Sequence, residues 1–382
     1  MPVHAGSVFG LAARAAAWLA ALLALLSMAL PARAQAPAYR IETVAEGLAH
    51  PWSLAFLPDG GMLVTERPGR LRLIGKDGRL SPPLPGTPYD FVAAQAGLMD
   101  VAVDPEFDFN QTIYLTYAYG TRRANNTRLA RARLVDGRLV DVQTLFDAQP
   151  AKPGGSHYGG RMALLPDGTL VLTLGDGFDQ REQAQDPASH LGKTVRLNRD
   201  GSVPPDNPFV GRPDAAPEIY TMGHRNVQGI VHDPRSGRLY AHEHGPRGGD
   251  ELNLLRPGRN YGWPLATHGV DYTGARISPH RTLPGLEDPL LHWTPSVAPS
   301  GMALYTGGRF AQWQGDLFVS TLVEPGVRRV AMRDGRPTGE QEVLFGEAGT
   351  RIRDVRAGPD GALYLLTDEA QGRVLRVVPY DA

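Results

Sequence analysis

Short apolar runs joined by tight turns recur from about residue 50 to the end of this chain. In residues 157–176, apolar runs at 161–165 and 169–174 flank Pro166-Asp167-Gly168. Pro presets φ for a turn, and Asp and Gly accept positive φ, so this stretch predicts a β-hairpin. The same plan returns at 50–74 with Pro58-Asp59-Gly60 at the turn, at 97–134 with Asp104-Pro105, and at 226–246, 300–332 and 351–378. Runs at 194–197 and 251–255 supply further strands to their units. Six units at uneven spacings of roughly 45–75 residues predict an all-β fold, a six-bladed β-propeller with four-stranded antiparallel blades. Return strands such as 169–174 and 362–366 are apolar without alternation, as expected of strands buried between neighbouring blades on both faces. An alternating strand at 39–44 precedes the repeats. It is expected to pair with the sixth unit, closing the ring and protecting an open edge.

Charge and composition narrow the partners. Lys+Arg 39 against Asp+Glu 40 leaves a formal net charge of −1, without the basic surplus of a nucleic-acid binder. Residues 1–34 have the form of an export signal: Arg14, an apolar run over 15–30, then Ala32-Arg33-Ala34 as a small-x-small cleavage pattern. An uncleaved anchor is the alternative. No later segment is apolar for long enough to cross a bilayer. With no cysteine, disulfides, thiolate metal sites and cysteine nucleophiles are excluded. The expectation is a soluble periplasmic protein, monomer or homodimer, with one propeller domain over residues 35–382. Long Pro/Gly-rich inserts at 181–190, 204–217 and 260–295 are where binding and catalysis would reside.

The candidate chemistry follows from the repeat. A hairpin returns its last residue beside its first, so His157 and Asp176 should meet on one rim. A carboxylate beside an imidazole fixes its tautomer and prepares a general base. Spacing alone leaves a surface His and a turn Asp as the plainer alternative. Gln95 lies before the second unit; Arg225, Asn226 and Gln228 open the fourth; Arg351 and Arg353 open the sixth. If the unit starts share one face, these groups converge on the channel mouth and suit a ligand bearing several carboxylates or carbonyl oxygens. Structural bonds to carbonyls are the alternative for any one Arg. In HEHGPRGGDE, residues 242–251, His242-x-His244 lacks a third nitrogen ligand, whereas Asp250, Glu251 and Gly/Pro carbonyls are hard oxygen donors suited to Ca²⁺. Asp-capped turns are the ordinary alternative. No P-loop, dinucleotide fingerprint or G-x-S-x-G elbow is present.

Seven motifs together resemble the soluble pyrroloquinoline-quinone (PQQ)-dependent sugar dehydrogenases, especially the periplasmic aldose sugar dehydrogenases: QAGLMDV at Gln95, HYGGR at His157, GHRNVQG at Gly223, EHGPRGGDEL at Glu243, NYGWPLA at Asn260, VAPSGMA at Val297 and RIRDVRAGPDG at Arg351. The resemblance covers nearly everything after the signal. It implies a six-bladed propeller with PQQ and Ca²⁺ in the mouth, an aldose substrate and an external electron acceptor. By matching motif, His157 would take the proton from the sugar C1 hydroxyl while hydride passes from C1 to the quinone C5, giving a lactone. Asp176 would orient His157. Gln95, Arg225, Asn226, Gln228, Arg351 and Arg353 would surround the quinone, with Tyr272 and Ser296 in its wall. The carbonyls of Gly245 and Pro246 would ligate the catalytic Ca²⁺; Glu251 and Tyr261 match a second, structural calcium site. Some relatives place a Lys against the quinone in a loop that here reads Thr321-Leu-Val-Glu-Pro325. A missing cation there implies binding weaker by about 1–3 kcal/mol unless another group substitutes. A calcium-dependent propeller lactonase and a non-catalytic sugar- or protein-binding propeller are the other readings.

Overall fold

The computed structural model describes residues 37–380; the expected export signal at 1–34 lies outside them. Six antiparallel sheets follow one another along the chain. Their innermost strands are Pro51–Phe56, Leu98–Val103, Met162–Leu164, Val227–His232, Pro299–Leu304 and Ile352–Ala357. These touch one another in ring order, the last against the first, so the propeller is closed. Among the described residues no helix is long and apolar enough to cross a membrane.

The lost alternation of the second strands has a direct cause. In Thr169–Thr173, Leu170 and Leu172 pack against Tyr114, Leu129 and Phe146 of the second blade, while Val171 packs against Val227, Ile230 and Leu239 of the fourth. The strand keeps its period of two, but both faces meet apolar neighbours. Met62–Glu66 repeats the arrangement, with Leu63 facing the second blade and Met62 and Val64 the sixth. Stability thus resides in the walls between blades, which suits a chain with no disulfide to staple it.

Ring closure occurs as expected. The first strand, Tyr39–Leu48, is longer than the run at 39–44 and pairs along Gly372–Pro379, from Tyr39 opposite Pro379 to Leu48 opposite Gly372. Two sheets extend one strand beyond the runs read from sequence: Ile219–Met222 lies outside Lys193–Asn198, and Leu291–Trp293 outside Asp250–Leu255. The first blade departs from four strands. It has three, Pro51–Phe56, Met62–Glu66 and Arg70–Ile74, and its fourth position is reduced to a single bridge between Ile74 and Leu80. Pro82, Pro83 and Pro85 follow, and proline has no N–H with which to continue a ladder.

Candidate active site

Residues at the starts of innermost strands and just past the ends of second strands together line a polar cavity of about 310 Å³. Gln95, Asn226, Gln228, Arg351 and Arg353 share its wall, together with His50, Trp52, Arg67, Tyr158, Leu322 and Asp368. Five of the groups expected at the channel mouth are therefore brought together.

His157 and Asp176 meet as the hairpin requires. The His157 Nδ1 lies 2.6 Å from Asp176 Oδ1, and both side chains are buried. His157 has a left-handed φ of 54°, and its backbone N–H donates to Gln95 Oε1 at 2.8 Å. That bond ties the main chain at His157 to Gln95 in the cavity wall. Glycine is required opposite: a Cβ at Gly175 would collide with the His157 carbonyl. The carboxylate is held in turn by two more donors, the Phe178 N–H on Oδ1 and the Trp263 indole N–H on Oδ2, each at 2.8 Å. With Nδ1 committed to Asp176, Nε2 is the nitrogen left to exchange a proton. Burial lowers the His157 pKa below its ordinary value; the Asp176 hydrogen bond opposes this and Arg225 reinforces it. Burial alone would raise Asp176, but the His157 bond and the Phe178 N–H outweigh it and hold the carboxyl below its ordinary range. The pair is thus a neutral imidazole against a carboxylate, the state a general base needs before reaction.

Arg225 stands beside this pair in an adjoining depression lined by Phe178, Asp179, Trp263, Asp271 and Tyr272. Its backbone N–H is fixed by Glu243 at 2.6 Å, and its guanidinium reaches the Gly245 carbonyl at 2.7 Å and the Tyr272 hydroxyl at 3.3 Å. Tyr272, largely exposed, stacks on Phe178, whose ring meets His157 edge-on at 5.1 Å. Asn226 Oδ1 accepts the Gly159 N–H and a Gln228 amide N–H, which locks the HYGG loop to the fourth blade. Ser296, Gly245, Pro246 and Tyr272 line a third depression that shares His244 with the polar cavity. Ser296 donates to Asp250 Oδ2 at 2.7 Å, and the same carboxylate receives the N–H groups of Gly245, Val297 and Ala298. Asp250 thereby shapes the Gly245-Pro246 turn.

Glu251 and Tyr261 lie away from the cavity. The Tyr261 hydroxyl donates to the Leu254 carbonyl and accepts the Arg256 N–H, leaving only its own carbonyl for a cation. Glu251 pairs across strands with Glu243, and burial, then Glu243, push its pKa well upward. Asn253 Oδ1 beside them is buried without a partner. Crowded carboxylates and an orphaned carbonyl oxygen form a donor set of the kind a hard cation relieves. Among the described residues no three His, Cys, Asp or Glu side chains are grouped to hold a metal, so any such site depends on carbonyls. His242 and His244 make no pair: their Nε2 atoms bond the Gly301 and Pro299 carbonyls of the next blade.

Sequence reasoning missed Asp368, Trp263 and Arg67. Asp368 was accessible by the rule that found Asp176, since it ends the sixth hairpin as Asp176 ends the third. Its Oδ2 accepts both Arg351 and Arg353, at 2.8 and 3.0 Å. Trp263 carried only the NYGWP motif as a signal, with nothing to link it to a carboxylate 87 residues away.

Residues 48–376 match the family described as Glucose / Sorbosone dehydrogenase. The chain belongs to that family. Within it, this glucose/sorbosone dehydrogenase family member is 42% identical to the aldose sugar dehydrogenase YliI of Escherichia coli, over 89% of this chain and 92% of the relative. A solved glucose dehydrogenase, 45% identical, superposes with a TM-score of 0.86 over 88% of this chain and 99% of its own. The PQQ-bound form of aldose sugar dehydrogenase from Streptomyces coelicolor, 29% identical, gives a TM-score of 0.74 over 90% of this chain and all of its own. As a member of this family the chain is an oxidoreductase.

Proposed function

We propose that this protein oxidises aldoses at C1 to lactones, with PQQ and Ca²⁺ as cofactors, in the periplasm after removal of residues 1–34, and passes the electrons to an external acceptor. The observation that carries the reading is the neutral His157, backed by Asp176 and bonded through its main chain to Gln95 in the wall of an arginine-lined cavity. The donors fit the quinone: three guanidiniums against one carboxylate leave the wall positive, as a polycarboxylate requires. Gln95, Asn226, Gln228, Arg351 and Arg353 would hold it, with Arg225, Tyr272 and Ser296 beside it. When bound, the quinone supplies the acceptor for the hydride leaving C1. Ca²⁺ would be held by the Gly245 and Pro246 carbonyls, the first of which here accepts Arg225. Glu251 and the Tyr261 carbonyl would hold a second, structural ion.

The protein's own part is proton transfer. His157 accepts the C1 hydroxyl proton at Nε2; Asp176 keeps the tautomer with the proton on Nδ1 and stabilises the imidazolium that results. Trp263 and the Phe178 N–H keep Asp176 ionised and in place. Burial of the pair restricts bulk water at the reacting hydroxyl. The test is reconstitution of apo-protein with PQQ, with and without Ca²⁺, and dye reduction over a sugar panel. Sugar-dependent reduction that needs the quinone and is lost in His157→Ala supports the reading. Parental turnover in His157→Ala would overturn the proposed base, and lactone hydrolysis without quinone would overturn the reaction.

A further inference from the structure

Four charged side chains line the polar cavity: Arg67, Arg351, Arg353 and Asp368. Arg351 and Arg353 both lie against Asp368 Oδ2, so part of their charge is already neutralised within the wall. Arg67 differs. No carboxylate lies within ion-pair distance of it among the described residues, and its one side-chain bond runs from Nη1 to the Ala94 carbonyl at 2.5 Å. Nε and Nη2 remain without protein acceptors, half of a guanidinium fork facing a cavity.

The chain makes room for this arrangement. Arg67 follows the Met62–Glu66 strand of the first blade, and its stem runs across Gly97, where a Cβ would approach the Arg67 Cγ to 2.8 Å. Its carbonyl accepts the Leu98 N–H, and its own N–H donates to the His50 carbonyl, so the backbone is held from both sides. To the same wall the 321–325 loop contributes Leu322, an apolar side chain. Of the two surplus positive charges in the wall, one therefore comes from the first blade and carries no ion pair.

We propose that Arg67 is a cofactor-binding residue: its free donors take a carboxylate of the bound quinone, supplying the cation that the 321–325 loop lacks. This rests on the quinoprotein reading above. Arg67 sets affinity, while His157 and Asp176 set the proton transfer.

The test is calorimetric titration of apo-protein with PQQ in the presence of Ca²⁺, for the parent, Arg67→Gln and Arg67→Lys. Loss of a charge-assisted contact raises Kd about 10- to 100-fold in Arg67→Gln, and Arg67→Lys recovers part of it. The trimethyl ester of PQQ, which has no carboxylates, binds parent and Arg67→Gln within about threefold of each other. Thermal melting of the apo variants checks the fold, since no ion pair is removed. Tight binding by the parent with Kd unchanged in Arg67→Gln overturns the role of Arg67 and leaves the cofactor reading intact. Failure of the parent itself to bind PQQ overturns the cofactor reading, and this inference with it.

Discussion

Replacing Asp176 by Asn is the sharpest probe of the proposed base, because the amide cannot satisfy the donors the carboxylate now serves. Oδ1 receives the Phe178 N–H and faces His157 Nδ1, while Oδ2 receives the Trp263 indole N–H. With the amide oxygen at the Oδ1 position, its NH₂ points at the indole N–H and two donors oppose each other. In the reverse orientation the NH₂ opposes the Phe178 N–H and donates to Nδ1, forcing the ring proton onto Nε2, where no substrate proton can then be taken. Either way one buried donor is orphaned, costing about 1–3 kcal/mol of stability. The carboxylate that stabilises the imidazolium is also gone, so kcat should fall by about 10²–10⁴. The pH profile separates this from a simple loss of structure. Burial already lowers the His157 pKa, and Asp176 opposes that shift. The parent should therefore hold its activity below the ordinary imidazole range and lose it as pH falls through the lowered folded pKa. In Asp176→Asn the residual activity should persist to still lower pH, since the opposing bond is absent. The assay is dye reduction by reconstituted enzyme from pH 4 to 8, with melting as control. A folded Asp176→Asn enzyme within a few-fold of parental kcat would falsify the orientation role.

Three further outcomes are expected. Arg161→Met should cost about 2–4 kcal/mol and lower Tm by several degrees in calorimetry, because it leaves the buried carbonyls of Gln228 and Ser300 without their donor and Asp354 and Asp100 with Arg356 as their one remaining cation; a shift under 2 °C would count against Arg161 as the axial tie. Deleting residues 39–44 should lower Tm clearly by exposing the edge of Gly372–Pro379, and unchanged melting would refute the closing role of the first strand. His242, fully buried, has its pKa pushed down to about 4 by burial. Its contribution to stability is complete above the unfolded value of about 6.5 and declines as pH falls towards 4, by roughly 3 kcal/mol in all. In urea melts His242→Asn should flatten this acid-side slope, and an unaltered slope would mean that other groups control it.

The periodic features were legible and the axial ones were not. Repeated turns fixed six sheets, and the hairpin rule placed His157 against Asp176, because both follow from local chain geometry. The three prolines after Leu80 were also visible, and they account for the strand missing from the first blade. Arg161 shows the limit. Its guanidinium lies over Trp52 and bonds the carbonyls of Trp52, Gln228, Ser300 and Arg353, with Asp100 and Asp354 alongside. One side chain from the third blade thus contacts the other five. Most of its partners are main-chain oxygens, which carry no residue-specific mark, and they are scattered over some three hundred positions. Arg67 escaped notice for a related reason: its interest lies in the carboxylate it lacks, which no spacing rule reports.

The pairing of Tyr39 with Pro379 makes the ring's final seam depend on the two most distant parts of the described chain. During synthesis that seam cannot form until the C-terminal strand has emerged, so an unfinished chain has no sealed barrel to settle into. High sequence separation of the closing contacts also slows folding, because a long loop must be ordered before any pairing energy is returned. Translation of residues 372–379 is therefore the earliest point at which this ring can close.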